Sequence, residues 1–392
     1  MRYRFADCIL DTERHELWRM GDRVSVEPQV FDLLHLLVRR AGVLLSHDEL
    51  IEEIWSGRAI SDSALSSRIN AARKAVGDNG RDQRVIRTVP RRGFVLGVPV
   101  TPESQSAPPK DRGEERQIIK FCQSKDGTRI GYAVSGNGPA LVRAGHFLTH
   151  LEKDWHSPIW RPYLEALGRS HTVIRYDQRG TGLSDPSLRS TDLESYAADL
   201  QAVADAAGLE SFPLIASSQG VPAAIHFAAN HPDRVTRLVL YGGYAQGRAV
   251  RDPDYGADES RALVTMIRAG WGKRKSGFMA AFTSLFCPGA TPAEIANLVD
   301  IQLASATPEN AARIRVAIDE FDVSKLLSRV IAPTLVIHAS ADSVHPASQG
   351  QLIASAIAGA EYLQVESNNH IALPSDPAFT EIVTATLDFL SQ

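Results

Sequence analysis

The 392-residue chain is poor in cysteine, holding only Cys8, Cys122 and Cys287. They are odd in number, far apart and free of any CxxC or Cys/His ligand spacing, which argues against a disulfide framework and against a zinc site. Nor is there an apolar run of about 18 residues, the length a membrane span requires. The first residues, MRYRFADCIL, interleave charge with apolar side chains and do not read as a secretory leader, which would set a basic start before an apolar stretch. These absences point to a reducing cytoplasm, with no metal, no cofactor and no membrane partner expected. What remains is ordinary globular composition, 44% hydrophobic and 22% charged, in a chain longer than one core usually serves.

Net charge is only −4, but it is unevenly spread. Residues 61–100 carry eight Lys/Arg against three Asp/Glu, inside an otherwise acidic chain. Such a block is a candidate anion-binding face. It is followed by PVTPESQSAPPKDRGEERQ, rich in Pro, Ser and charge and almost devoid of large apolar residues, the composition of a linker. The expected division is a module over 1–100, a linker over 101–117, and a larger domain over 118–392.

In the first module, SVEPQVFDLLHLLVRRAG sets Phe31, Leu34, Leu37 and Val38 on one helical face and stops at Gly42. Ser46 and Glu49 then form a capping box for a second helix. A third helix, from about Ser61 to Val76, turns Leu65, Ile69, Ala72 and Val76 inward. Ser63, Ser67, Asn70 and Lys74 face the other way, flanked by Arg68 and Arg73. Small hydrogen-bonding residues walled by cations suit a helix lying in a DNA major groove, although a helix face that merely meets water has the same look. RVIRTVPRRGFVLGV then reads as a β-hairpin with Arg91 and Arg92 at its tip.

Taken together, VEPQVFDLLHLLVRRAG, SHDELIEEIW, SALSSRINAARKAVGD and IRTVPRRGF resemble the winged-helix DNA-binding domain of the OmpR/PhoB response-regulator family, over about residues 3–98. The resemblance implies double-stranded operator DNA as partner. It also implies contacts from Arg68, Asn70, Arg73 and Lys74 on the helix and from Thr88, Arg91 and Arg92 at the wing, and pairing of two copies on repeated half-sites. Asn70 and Ala71 stand where relatives often carry arginine. No phosphoacceptor receiver domain accompanies the module.

In the larger domain, apolar strand-like runs alternate with helical patterns, the mark of an α/β fold. LIASSQGVPAAIHFAAN joins a buried strand to a helix through two adjacent serines. A nucleophile on a tight strand-to-helix turn needs small residues two positions to either side. Around Ser218 these are Ala216 and Gly220; around Ser217 they are Ile215 and Gln219, which are too large. A serine also needs a base, and the base a carboxylate. Asp342 follows the strand in IAPTLVIHASADSVHP, and His370 follows the strand in EYLQVESNNHIAL.

Strand-end residues in the order Ser, Asp, His, with YDQRGTGLSD from Tyr176, resemble the α/β-hydrolase superfamily over about 118–392. RAGHFLTHLEKDW, from Arg143, is similar to a run in stand-alone and regulator-fused hydrolase domains. The resemblance implies a doubly wound, mostly parallel sheet with a helical cap over about 247–325. It implies an oxyanion hole from the N–H of Gln219 plus that of either His146 or Phe147. His146 and His150 are candidate pocket residues, as are Trp271, Phe278 and Phe282, though a cap needs most of its apolar side chains for its own core.

Two readings of the whole chain stand at this point. One is a one-component transcription regulator whose hydrolase-like half senses a small apolar ester, lactone, thioester or amide, with or without cleaving it. The other is an esterase-type metabolic enzyme whose winged helix serves only localisation or protein contacts.

Overall fold

The computed structural model of the protein describes residues 2–12, 16–19, 22–24, 26–55, 60–90, 92–103, 116–272 and 277–392. The chain forms two compact units, Met1–Glu114 and Glu115–Gln392.

The first unit begins with strands β1 (Arg2–Phe5), β2 (Cys8–Asp11), β3 (Glu16–Arg19) and β4 (Asp22–Val24). Helices α1 (Pro28–Arg39), α2 (His47–Trp55) and α3 (Asp62–Ala75) follow, then β5 (Ile86–Val89), β6 (Gly93–Leu96) and β7 (Val100–Glu103). This is a winged helix-turn-helix: three helices pack on one another, and β5 and β6 form the antiparallel wing. Pro28 opens α1, where its missing N–H costs nothing. The capping box of α2 is present, with Glu49 Oε2 accepting from the Ser46 N–H at 2.7 Å and Ser46 Oγ accepting from the Glu49 N–H at 3.2 Å. Leu65, Ile69, Ala72 and Val76 are all buried against the same core as Phe31, Leu34 and Leu37. Residues 101–103, expected to begin the linker, instead continue β7 and pair antiparallel with β1. A Val100 half-buried against the module's core anchors this segment, a contact that the polar composition downstream does not advertise.

The second unit is built on an eight-stranded sheet in the order β15-β14-β13-β12-β10-β11-β9-β8. Its strands are β8 (Ile118–Gln123), β9 (Arg129–Gly136), β10 (Ala140–Arg143), β11 (Thr172–Tyr176), β12 (Phe212–Ser217), β13 (Val235–Tyr241), β14 (Thr334–Ala339) and β15 (Glu361–Val365). From β11 to β15 the neighbours pair in parallel, while β9 and β8 complete the sheet antiparallel. Buried on both faces, the parallel strands read as near-continuous apolar runs. Helices α4 (Leu151–His156), α5 (Trp160–Gly168), α6 (Leu193–Ala206) and α7 (Gly220–Asn230) lie in the crossovers. Helix α6 is capped by Asp192, which accepts from the Ser195 N–H at 2.7 Å. A helical insertion, α8 (Arg248–Arg251), α9 (Tyr255–Gly270), α10 (Phe278–Ser284), α11 (Pro292–Ser305) and α12 (Pro308–Glu320), precedes β14. Its apolar side chains form one core together with Leu148, Ile159 and Leu373. Helices α13 (Ala347–Ala356) and α14 (Ala378–Ser391) close the fold.

Candidate active site and candidate nucleic-acid interface

Between β12 and α7 the chain turns so sharply that Ser218 takes a φ of +51°, a left-handed conformation that costs a non-glycine residue energy and is held by its surroundings. Its N–H donates to Tyr241 O at 3.0 Å, and its carbonyl accepts from the Val221 N–H at 3.0 Å. Gly220 is required here, because a Cβ on it would stand 2.5 Å from Gly145 O. The small-residue rule therefore has a local cause: α7 and the β10 loop touch backbone to backbone.

Of the two serines, it is Ser218 whose Oγ lies 2.8 Å from His370 Nε2. On the far side of the ring, His370 Nδ1 stands 2.8 Å and 3.1 Å from the carboxylate oxygens of Asp342. Asp342, fully buried beneath the ring, also accepts from the N–H groups of Val344 and His345 at 2.8 and 2.9 Å. Burial alone would raise its pKa; the His370 ring and these N–H donors outweigh it and hold the carboxyl below its ordinary value. Asp342 is therefore a carboxylate, able to keep the His370 Nδ1 proton in place and leave Nε2 facing the serine. His345, edge-on to His370 with centroids 5.3 Å apart, is pushed by burial far below the usual imidazole range and stays neutral.

Beside Ser218, the backbone N–H of Gln219 makes no turn or loop hydrogen bond, nor do those of His146 and Phe147. Gln178 braces this corner: its Nε2 donates to Gly145 O at 2.8 Å, and its Oε1 accepts from Gln219 Nε2. Because a peptide is planar and trans, pinning the Gly145 carbonyl also fixes the direction of the His146 N–H. Gln178 was not singled out from sequence; the only signal was its place inside YDQRG, straight after a buried strand.

The pocket over Ser218 is lined by Arg143, His146, Phe147, Leu148, Trp160, Tyr163, Tyr241, Phe286, Leu298, Ile301, Gln302, Ile371 and Ile382, among others. His146 packs on Trp160 with centroids 4.6 Å apart, and burial followed by the nearby Arg143 cation drives its pKa far down. Trp271, Phe278 and Phe282, expected at the pocket, are not among its lining residues; they pack on one another in the core of the insertion, and Trp271 Nε1 donates to Ala306 O at 3.0 Å. Phe278 and Phe282 share an inward face of α10 and Trp271 ends α9, and among the described aromatic residues of the insertion only Phe286, just past α10, lines the pocket. His150 is buried but outside the lining.

In the first unit, Ser63, Ser67, Asn70 and Lys74 are exposed on α3, and Arg92 is exposed at the wing turn. Arg91 lies outside the described residues. Arg68 is half-buried and held by Glu27 at 2.6 Å and Gln29 at 3.2 Å. Arg73 does not face outward: it is 5% exposed and donates to Ile86 O and to the hydroxyl of Thr88, fastening α3 to the wing. Thr88 is correspondingly half-buried and engaged within the fold. Asp78 completes this joint by accepting from the N–H groups of Asn79, Arg84, Val85 and Ile86. Of the remaining cations in the basic block, Arg81, Arg84 and Arg87 are exposed; their positions in the loop and on the strand before the wing tip gave no motif to mark them.

Comparison with known proteins agrees with both halves. A family model described as alpha/beta hydrolase fold matches residues 147–377, and one described as transcriptional regulatory protein, C terminal, matches residues 21–96. A pyrrolizixenacetamide deacetylase from Xenorhabdus hominickii is 28% identical over 251 residues, 63% of this chain and 91% of that protein. The transcriptional activator CadC of Escherichia coli is 34% identical over 98 residues, 25% of this chain and 19% of its own length. The crystal structure of a hydrolase from Pseudomonas aeruginosa superposes with a TM-score of 0.59 at 25% identity, covering 72% of this chain and all of that one.

Proposed function

Because this chain belongs to the alpha/beta hydrolase fold family and joins that domain to a DNA-binding regulator domain, we propose that it is a one-component transcriptional regulator whose hydrolase half binds a small acyl compound and cleaves it through Ser218, His370 and Asp342. The observation carrying this reading is the unbroken hydrogen-bond chain from Ser218 Oγ through His370 to Asp342.

In the reaction, Ser218 Oγ attacks an acyl carbonyl as His370 Nε2 takes its proton. Asp342 stabilises the imidazolium without itself being protonated. The carbonyl oxygen, now negative, is held by the Gln219 N–H and by that of His146 or Phe147. Collapse breaks the bond to the leaving group, which receives the proton from His370, and water then repeats the sequence to free the acid. A deacetylase among the relatives supports counting amides beside esters as substrates. On the other module, α3 enters the major groove with Ser63, Ser67, Asn70 and Lys74 while Arg91 and Arg92 of the wing reach phosphate.

Ser218→Ala should abolish hydrolysis of short p-nitrophenyl esters with the fold retained, and unchanged turnover would move the nucleophile elsewhere. The full chain should retard a promoter fragment with an affinity that falls steeply with salt. Arg91→Ala with Arg92→Ala should weaken that retardation and spare the esterase. Absence of DNA binding across a genomic library would transfer the case to a hydrolase that uses its winged helix for other contacts.

A further inference from the structure

The run that opens at Arg143 places a cation where the mechanism above has no use for one. Arg143 ends β10, is 4% exposed, and lines the pocket that holds Ser218. Its guanidinium lies 5.4 Å from the ring centre of Trp160 and 6.0 Å from that of Tyr163. Its Nε has no hydrogen-bond partner, and no ion pair to Arg143 occurs among the described residues. Asp154, buried in the same region, makes its ion pair with Arg175 at 3.8 Å and attracts Arg143 only at longer range. A buried guanidinium without a hydrogen-bonded counter-charge is costly, and a more distant carboxylate and two aromatic faces compensate only in part. An arginine kept in this state inside a ligand pocket is a preformed seat for a planar anion, which it can grip through two parallel N–H bonds.

We infer that Arg143 is a specificity-determining residue that binds a carboxylate on the acyl portion of the substrate, so that the compound cleaved is a half-ester, half-amide or lactone of a dicarboxylic acid. The placement fits. Arg143 pairs in register with Ile215 on β12, three residues and roughly 10 Å of strand before Ser218, so the anion lies on the sheet side of the scissile carbonyl and the leaving group lies toward the insertion. The remaining lining on that side, chiefly Tyr163, Tyr241 and Ile382, suits the methylene chain between the two ends.

This inference rests on the hydrolase reading, and the experiment separates the two. The full chain is assayed with the mono-p-nitrophenyl esters of succinate, glutarate and adipate and with neutral p-nitrophenyl esters of matched chain length. One of the charged esters should exceed its neutral counterpart in kcat/KM by at least tenfold, and Arg143→Met should cut that ratio at least tenfold, chiefly through KM. In parallel, calorimetry on the Ser218→Ala protein should detect the dianion of the preferred acid and not its diamide, with binding lost on adding Arg143→Met. Equal turnover of charged and neutral esters by the unaltered protein overturns the role of Arg143 and leaves Ser218 in place. No turnover of any ester, together with Arg143-dependent binding of the dianion, overturns the hydrolase reading and leaves the anion seat. Neither turnover nor binding overturns both.

Discussion

Arg73 is the residue for which sequence and structure assign opposite roles, and its removal tells them apart. Placed on DNA, it would contribute charge; placed in the fold, it is a strut between α3 and the wing. Its side chain supplies three hydrogen bonds to two acceptors, Ile86 O at 3.1 and 2.9 Å and Thr88 Oγ1 at 2.8 Å. A hydrogen bond from a charged donor contributes about 1.5–3 kcal/mol, and a buried acceptor left alone loses a similar amount. With two acceptors orphaned, Arg73→Ala should cost the module about 3 kcal/mol. For a domain of this size that lowers its melting temperature by roughly 12–24 °C. Amide hydrogen exchange on the full chain reads the effect locally, and amides in β5 and β6 should exchange on the order of 100-fold faster. Lys74→Ala, one residue on and exposed, should leave exchange untouched and lower the slope of log affinity against log salt by about 1. If Arg73→Ala instead left wing exchange and melting unchanged while lowering that slope, the strut would be refuted and the arginine returned to the DNA.

Two further outcomes concern buried charge in the larger unit. Burial raises the Asp154 carboxyl to about 7, against the lowering pull of Arg175. An acid whose pKa is higher folded than unfolded contributes stability that is present below its unfolded value and lost as pH rises through the folded one, here a window from about 4 to 7. Asp154→Asn should therefore gain on the unaltered protein in thermal midpoint between pH 5 and pH 8, and a pH-independent difference would refute the assignment. Arg179 is held between Asp199 at 2.7 Å and Asp126 at 2.8 Å, with Asp199 fully buried. Arg179→Met should destabilise by about 3–5 kcal/mol in urea unfolding, because it strands Asp199, whereas Arg179→Met with Asp199→Leu should recover much of the loss.

The parts legible in sequence were those set by short-range spacing. Helical period picked out the buried face of α3, and strand-end order picked out Ser218, Asp342 and His370, which one chain of hydrogen bonds joins. The small-residue rule separated Ser218 from Ser217 because both neighbours that matter lie two residues away in the chain. The misplacements share a different origin. Arg73 sits on a helix flank, and only the wing, 13 residues later, decides whether that flank is covered. Trp271, Phe278 and Phe282 obey the helical period as well as Phe286 does, but which of them meets the pocket depends on how α10 packs on α9 and α11. Val100 joins β1 from almost a hundred residues away.

By itself, then, the order of residues pointed to the two modules and to the elbow that carries Ser218, since periodicity, capping and backbone strain act within a few residues, and it marked His370 and Asp342 as candidates by their places after strands. Tertiary structure alone decided which cations stay in solvent, which aromatic side chains line the pocket, that Gln178 fixes the Gly145 peptide, and that Arg143 is buried there without a carboxylate in hydrogen-bonding range. Those depend on where side chains distant in the chain come to rest. A buried charge reveals its lack of a partner only after every neighbouring carboxylate has been placed.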